Sequence, residues 1–169
     1  KTPNGDLTRP TADRVKEAMF SIIQFDIEGR KVLDLFAGCG QLGIEAISRG
    51  ADFVTFVDKS KQSIDVINDN IKTVGFAQNS KIVKKDYAAF LSGCTDKFDI
   101  VFLDPPYSIG LLQEALSKLD KVIKDTSTVI CEHPYGENVP DFAGNLPKFR
   151  QYKYGKVAVT VYKRGEIDG

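Results

Sequence analysis

Short apolar runs alternate with amphipathic stretches along most of this chain, and this alternation constrains the fold more than any other feature. Segments 41–49 and 60–71 carry apolar residues three and four positions apart, the spacing of a helix that packs on one face. Strands that alternate with helices form a parallel sheet with helices on both of its faces. The predicted strands are five apolar runs, at 31–35, 53–57, 81–83, 98–103 and 128–131.

The two ends of the chain depart from this alternation. Two strand-like runs, 149–154 and 157–162, are joined by Gly155-Lys156 and predict a hairpin, so one of them must run antiparallel to the rest of the sheet. We therefore expect an α/β fold with a seven-stranded, mostly parallel sheet and a C-terminal antiparallel hairpin strand. Near the front, a helix entered through Pro10-Thr11 is predicted to have an apolar face made of Val15, Met19, Ile22 and Ile23.

The composition places the chain among ordinary globular proteins. Its 169 residues suit a single domain spanning 1–169, and its apolar and charged fractions, 42% and 27%, are typical values. No apolar run approaches the ~20 residues of a membrane helix, so no membrane partner is expected. One histidine and three cysteines without a CxxC pair argue against a metal site or a disulfide framework and fit a reducing cytoplasm. Net charge is zero, which argues against a generally basic nucleic-acid binder.

Asp104-Pro105-Pro106-Tyr107 follows the predicted strand 98–103 and is the strongest candidate for a reactive site. Asp104 can accept a hydrogen bond from an exocyclic amine, and the Pro105 carbonyl can accept a second one. Two consecutive prolines hold that carbonyl in a fixed direction, and Tyr107 offers a face on which a base can stack. We predict that all four residues are catalytic; the alternative is a tight proline turn that happens to carry an aspartate.

A glycine-rich segment, Gly38-Cys39-Gly40-Gln41-Leu42-Gly43, follows the first predicted strand and opens a helix. Its spacing matches the G-x-G-x-x-G fingerprint, and Asp58 is placed either to hold the hydroxyls of a ribose or simply to cap a strand. Two ligands remain open, a nicotinamide dinucleotide and S-adenosylmethionine (AdoMet). Asp34 favours AdoMet, because a carboxylate before the loop suits an ammonium and a sulfonium better than a pyrophosphate. Asp86 can accept from an adenine amine or cap a helix, and the Tyr87 N–H can reach a ring nitrogen.

These motifs resemble the class I AdoMet-dependent methyltransferases, and in particular the RsmD family, which methylates N2 of a guanine in bacterial 16S ribosomal RNA. D-P-P-Y alone is shared with DNA adenine methyltransferases, whereas its combination with the N-terminal segment 8–15 is much more specific. The chain departs from the family at Cys39, where Ser or Thr is usual. The resemblance covers nearly the whole chain, through segments 8–15, 34–40, 42–46, 48–51 and 104–107, Asp58, Asp86, Glu132 and Tyr154-Gly155.

The resemblance implies a Rossmann-like class I methyltransferase fold and an activity of the 16S rRNA guanine(966)-N2-methyltransferase type, with AdoMet as cofactor. The implied partner is 16S ribosomal RNA within an assembled or partly assembled small subunit, bound by a cytoplasmic monomer. The residues expected to bind the cofactor are Asp34, Phe36, Ala37, Gly38, Gly40, Asp58, Lys59, Asp86, Tyr87 and Asp104.

Arg9, Arg14, Lys153 and Lys156 are the candidate RNA contacts. The two lysines belong to the stretch 148–164, which holds six basic residues and no acidic one and is expected beside the active-site mouth. The alternative is a solvated hairpin face. The family's N-terminal segment is absent ahead of residue 1, so we expect this chain to bind AdoMet normally but to methylate ribosomal particles less well than an extended chain.

Three other functions compete with this one. A DNA adenine-N6 methyltransferase usually needs a further target-reading domain, for which this chain has no room. An NAD-dependent oxidoreductase is disfavoured by Asp34 and by the D-P-P-Y segment, and a non-catalytic AdoMet-binding protein is disfavoured by the intact Asp104 and Tyr107. None of the three cysteines follows a proline, which argues against a covalent cysteine mechanism, and His133 is given little weight in catalysis.

Overall fold

The computed structural model describes residues 10–165 and contains five helices and eight strands within that range. The helices are α1 (Pro10–Ile22), α2 (Gln41–Ser48), α3 (Lys61–Val74), α4 (Tyr87–Gly93) and α5 (Leu111–Ser117). The strands are β1 (Lys31–Asp34), β2 (Phe53–Asp58), β3 (Ser80–Lys84), β4 (Phe98–Leu103), β5 (Ile123–Pro134), β6 (Phe142–Ala143), β7 (Leu146–Tyr154) and β8 (Val157–Tyr162). Two single turns of 3₁₀ helix, Ala77–Asn79 and Asp120–Val122, precede β3 and β5.

All eight strands form one sheet with the order β3-β2-β1-β4-β5-β8-β7-β6. The pairs among β1 to β5 are parallel, and β8 is antiparallel to both β5 and β7. This confirms the predicted mostly parallel sheet with a C-terminal antiparallel strand. The predicted number of seven strands was wrong, because the two-residue β6 adds an eighth beside β7. A two-residue strand is too short to show the alternation from which strands are predicted.

Helices cover both faces of the sheet, as predicted. Along β4, Ile100 and Phe102 pack in the same buried cluster as residues of α1, α2 and α3, whereas Val101 and Leu103 pack with α4 and α5. This alternation follows from the strand period of two, which points successive side chains to opposite faces. β4 is therefore apolar on both sides, as expected for a strand buried between two layers of helices.

Local signals set several of the element boundaries. Ser60 caps α3, because its hydroxyl oxygen accepts a hydrogen bond from the Ser63 N–H at 3.3 Å. Gly75 ends that helix with a left-handed φ of 77°. β5 is longer than the predicted run 128–131, so Glu132 lies inside this strand rather than at its end. Pairing with β8 explains the extension, since a partner strand supplies hydrogen bonds up to Pro134.

The topology brings polar residues together at one edge of the sheet. Asp34, Asp58 and Asp104 stand at or just after the carboxyl ends of β1, β2 and β4. In open α/β sheets, ligands bind in the crevice outside these ends, where helices on opposite faces separate. Between residues 10 and 165, no helix combines the length and apolarity that crossing a membrane requires.

Candidate active site

A cavity of about 290 Å³ lies at the carboxyl ends of β1, β2, β3 and β4. We call it the cofactor cavity. Of the ten residues predicted to bind a cofactor, seven line it: Phe36, Gly38, Asp58, Lys59, Asp86, Tyr87 and Asp104. Asp34, Ala37 and Gly40 are not part of the lining and lie behind it. The remaining lining residues, which the sequence argument did not assign to the cofactor, are Leu35, Lys85, Pro106 and Leu111.

The glycine loop forms one side of the cofactor cavity. Two of its glycines are needed there, one for its backbone conformation and one for close packing. Gly40 precedes α2 with a left-handed φ of 83°, a conformation that other residues rarely adopt. Gly43 lies so close to β2 that an added Cβ would stand 2.3 Å from Phe56 Cε2. The loop is also held from α3, since Asn70 Nδ2 donates to the Cys39 carbonyl at 3.0 Å. No motif in the sequence identified Asn70.

Asp58 binds the loop as well as lining the cavity. Its Oδ2 accepts from the Gly38 N–H at 2.9 Å and its Oδ1 accepts from the Ser60 N–H at 2.9 Å. Each carboxylate oxygen can accept a second hydrogen bond, so both remain able to take a ligand hydroxyl. Asp58 therefore fixes the position of the loop and keeps acceptor capacity for a ligand.

Asp34 is a buried carboxylate with an unpaired oxygen. Its Oδ2 accepts from the Gly43 N–H at 3.1 Å, whereas its Oδ1 has no partner among residues 10–165. Burial raises the pKa of Asp34 to about 7, partly offset by the Gly43 hydrogen bond, and the charges of Asp104 and Asp58 raise it further. Such unpaired buried oxygens are rare in folded proteins and call for an explanation. A cation in the adjacent cavity supplies one.

The first turn of α4 forms the opposite wall of the cofactor cavity. Asp86 caps this helix, accepting from the Ala88 N–H at 3.1 Å, which confirms the capping alternative without excluding a ligand contact. The Tyr87 hydroxyl donates to Glu114 Oε1 at 2.5 Å, and burial raises the Tyr87 pKa. The rings of Phe36 and Tyr87 lie 5.2 Å apart at 43°. Glu114 therefore links this wall to α5 through the Tyr87 hydroxyl, and no sequence motif marked it.

A second cavity, of about 220 Å³, lies beside the first. We call it the substrate cavity. It shares Asp104 and Pro106 with the cofactor cavity, so a carboxylate stands between two spaces, each able to hold part of a reacting pair. Its other lining residues are Pro105, Tyr107, Ser108, Leu112, Glu132, His133, Pro134, Glu137, Lys156 and Val157. All four residues of the predicted catalytic segment are therefore on its wall.

Asp104 and Glu132 give the substrate cavity its electrostatic character. Asp104 is solvent-accessible through the cavities, yet protein atoms surround it on its other sides, and this desolvation raises its pKa. The pKa of Glu132 is raised first by burial and then by the nearby charge of Asp104. Two carboxylates that repel one another favour a ligand that brings hydrogen-bond donors or positive charge.

His133 is engaged at both ring nitrogens. Nδ1 lies 2.9 Å from the Pro134 carbonyl oxygen, which only accepts, so Nδ1 carries the hydrogen. Nε2 lies 2.7 Å from Thr160 Oγ1, which itself accepts from Gln151 Nε2 at 2.8 Å. Both ring nitrogens are therefore engaged within the protein, and the Thr160 contact connects the ring of His133 on β5 to β8.

The basic stretch 148–164 is divided between the two ends of the β7–β8 hairpin. Lys156 lines the substrate cavity, and Lys153 Nζ lies 4.6 Å from the centre of the neighbouring Tyr135 ring. At the other end, Lys163 lies over Phe149 and Arg164 pairs with Asp125 at 3.5 Å. The expectation that the whole stretch borders the active site was therefore wrong. The hairpin strands are roughly 20 Å long, at about 3.3 Å per residue, and only their turn reaches the site.

Of the two arginines near the N-terminus that were predicted to contact RNA, only Arg14 lies among the described residues. Arg14 is exposed on α1 and lines neither cavity, and Arg9 lies outside the described residues. In the part of the chain from 10 to 165, no three metal-binding side chains are grouped closely enough to hold an ion.

The fold and the paired cavities define a class I methyltransferase. The family model described as Conserved hypothetical protein 95 matches residues 1–163, and the chain belongs to this family, the RsmD family. The Bacillus subtilis protein YlbH is 34% identical over 169 residues, covering 97% of this chain and 92% of that protein. The Ribosomal RNA small subunit methyltransferase D of Escherichia coli is 32% identical over 171 residues, covering 98% and 86%.

Solved structures agree with this assignment. The Escherichia coli protein yhhF superimposes with a TM-score of 0.82 at 33% identity, covering 92% of this chain and 87% of that one. A conserved hypothetical protein of Streptococcus pyogenes gives a TM-score of 0.80 at 33% identity, covering 87% and 93%.

Proposed function

We propose that this protein transfers the methyl group of AdoMet to the exocyclic N2 amine of a guanine in 16S ribosomal RNA. The observation that carries the proposal is the meeting of two cavities at Asp104 and Pro106. The Escherichia coli relative is a small subunit ribosomal RNA methyltransferase by name, which supports the choice of RNA over DNA.

The cofactor cavity fits AdoMet. The unpaired, buried Oδ1 of Asp34 supplies negative charge behind the lining, suited to the ammonium and sulfonium groups. Asp58 retains acceptor capacity for ribose hydroxyls, and the wall formed by Phe36 and Tyr87 suits a flat adenine. A dinucleotide would place pyrophosphate charge near Asp34, which disfavours an NAD enzyme. When bound, AdoMet supplies an electrophilic methyl group.

The substrate cavity is proposed to position the amine for in-line attack. Asp104 and the Pro105 carbonyl accept from its two N–H groups, which aims the nitrogen lone pair at the methyl. Methyl transfer from bound AdoMet would form the N–C bond and break the C–S bond, leaving positive charge on the nitrogen that Asp104 and the Pro105 carbonyl would hold. The amine then loses a proton to Asp104, whose raised pKa suits it to accept one. Tyr107, 73% exposed, is free to stack on a base that has left its own stack.

The RNA is proposed to approach over the turn of the β7–β8 hairpin. Lys153, Lys156 and Tyr135 form a basic and aromatic surface next to the substrate cavity, and Tyr135 is 51% exposed. Arg9 and Arg14 are proposed to extend it. Because the proposed substrate is ribosomal RNA, we place the reaction in the cytoplasm, on an assembled or partly assembled small subunit. We also propose that a monomer carries it out.

Incubation with tritiated AdoMet tests this function. Small-subunit particles, free 16S RNA and DNA are offered in parallel, and the labelled nucleosides are separated after digestion. N2-methylguanosine from the RNA is expected, with the most label from the particles. Label in N6-methyladenine, or binding of NAD without binding of AdoMet, would show that one of the rival functions is correct.

A further inference from the structure

Glu132 faces the substrate cavity from the strand next to Asp104. Leu103 of β4 is paired with Cys131 of β5, so Asp104, the first residue after β4, and Glu132 of β5 each follow one member of this pair, on strands that lie about 4.8 Å apart. Both residues line the cavity. A ligand atom held by Asp104 therefore lies within reach of a second acceptor, and that acceptor has a fixed direction relative to the first.

The Glu132 carboxylate is partly buried and has no hydrogen-bond or ion-pair partner among the side chains of residues 10–165. Its neighbour His133 is fully engaged with Pro134 and Thr160 and does not compensate it. Burial raises the Glu132 pKa and the nearby charge of Asp104 raises it further, so neither carboxylate stabilises the other. A ligand that brings hydrogen-bond donors can pair with both carboxylates at once.

The backbone on which Glu132 stands is held firmly. Glu132 is paired with Val159 of the antiparallel strand β8, and the network of Gln151, Thr160 and His133 connects β5, β7 and β8 directly beneath it. A carboxylate on such a rigid strand can select a ligand by geometry, because it cannot move far to meet a different arrangement of donors.

Base chemistry decides which ligand meets the two carboxylates. Guanine presents an N1–H donor directly beside its N2 amine, whereas adenine and cytosine each present a ring-nitrogen acceptor beside their amine. An acceptor placed against a carboxylate leaves both groups unpaired, which is costly in a desolvated site. Asp104 and the Pro105 carbonyl satisfy the amine of any of these bases, so an acceptor held beside the amine can distinguish guanine.

We propose that Glu132 is a specificity-determining residue that accepts a hydrogen bond from the guanine N1–H while Asp104 holds the adjacent amine. This inference rests on the proposed methylation of guanine and identifies the group that reads the base. It also separates this site from adenine-modifying enzymes, with which it shares the D-P-P-Y segment.

The test replaces the reacting guanine by 2-aminopurine, which keeps the 2-amine but has an acceptor at N1. The labelled guanine is first mapped with the wild-type protein, and RNA is then made with either base at that position. Methyl transfer to each RNA is measured for wild type, Glu132→Gln and Glu28→Gln. Glu28 is an exposed glutamate just before the amino end of β1, whereas the active site lies at the carboxyl ends of the strands, and it serves as the matched control.

Wild type and Glu28→Gln are expected to prefer guanine strongly. In Glu132→Gln, the amide oxygen can still accept from the guanine N1–H but carries no charge, so kcat/KM for guanine should fall only about tenfold. The amide can instead donate to N1 of 2-aminopurine, so the guanine to 2-aminopurine ratio should fall at least about tenfold. Because this ratio is taken within each variant, partial loss of folded protein cancels.

An unchanged ratio in Glu132→Gln would overturn the inference even while wild type continued to methylate guanine. Failure of the wild-type protein to label any guanine in RNA would instead remove the proposed function and the inference together. The two failures are distinguished by whether the first mapping step yields N2-methylguanosine.

Discussion

The cofactor cavity and the substrate cavity share Asp104 and Pro106 but are built differently. The walls of the cofactor cavity are cross-linked by hydrogen bonds that Asp58 accepts and that Asn70 and Tyr87 donate. The outer wall of the substrate cavity carries accessible groups, including Tyr107, which is 73% exposed, and Lys156 in a hairpin turn. A preformed site suits a small molecule of constant shape, whereas an open rim suits a large partner that brings its own surface.

Asp104 belongs to both cavities, so its replacement tests where they join. Asp104→Ala should lower kcat for methyl transfer by roughly 10³-fold, since it removes an acceptor that positions the amine. AdoMet affinity should change by only a few-fold, because the carboxylate is one of many groups on the cofactor wall. Single-turnover assays and calorimetry measure the two quantities separately. Asp104→Asn keeps an acceptor oxygen and should retain intermediate activity; wild-type turnover in Asp104→Ala would refute the role of Asp104.

Asp58 tests the cofactor side alone. Asp58→Ala should weaken AdoMet binding by about 1–3 kcal/mol, as expected for lost hydrogen bonds to a charged group, and should also loosen the loop at Gly38. The KM for RNA should stay close to the wild-type value, because Asp58 does not line the substrate cavity. Calorimetry with AdoMet and NAD measures the loss. A raised RNA KM at saturating AdoMet would mean that the two cavities are coupled rather than separate.

Asp34 predicts a pH dependence that is confined to the cofactor side. With a pKa near 7 in the folded protein against 3.8 as its reference, Asp34 binds a proton that the unfolded chain releases. The stability of the ligand-free protein should therefore fall as pH rises from about 4 to 7, whereas AdoMet affinity should rise through pH 7, by roughly tenfold between pH 6 and 8.

Asp34→Asn should lose both trends, because it cannot ionise yet can still accept from the Gly43 N–H. Chemical denaturation at pH 4, 5, 6 and 7 follows the fall in stability, and calorimetry at pH 6, 7 and 8 follows the rise in AdoMet affinity. If the variant and the wild-type protein showed parallel profiles, the raised pKa would have to belong to another group.

The difference between the two cavities also explains which residues could be predicted from the sequence. Cofactor-side residues belong to local motifs, in which the spacing of Gly38, Gly40 and Gly43 after a strand already specifies a loop and a helix start. Asn70 and Glu114 support the cavity walls from other helices, through the Cys39 carbonyl and the Tyr87 hydroxyl, and no local pattern marks them. β6 was missed because two residues show no period, and Glu132 was misplaced at a strand end because its strand is extended by pairing with β8.

On the substrate side, long-range packing decides which charges reach the site. The stretch 148–164 holds six basic residues and no acidic one, yet the hairpin separates its lysines by the length of its strands. Lys153 and Lys156 stand near the turn, whereas Lys148 and Tyr162 are paired at the far end. Composition therefore predicted a basic surface, and only the strand register showed which part of it borders the cavity.

The smallest expected effect is on RNA binding. It tests whether the lysines at the turn of the β7–β8 hairpin contact the RNA. Lys153→Gln combined with Lys156→Gln should weaken RNA binding several-fold and reduce the slope of log K against log salt by about 1–2, roughly 0.7–0.9 for each lost phosphate contact. Lys148→Gln combined with Lys163→Gln removes the same charge from the far end of the same hairpin and should leave the slope unchanged. Filter binding to small-subunit RNA at several salt concentrations measures both. Equal slopes for the two double variants would mean that only net charge attracts the RNA, and the proposed RNA contact at the hairpin turn would be wrong.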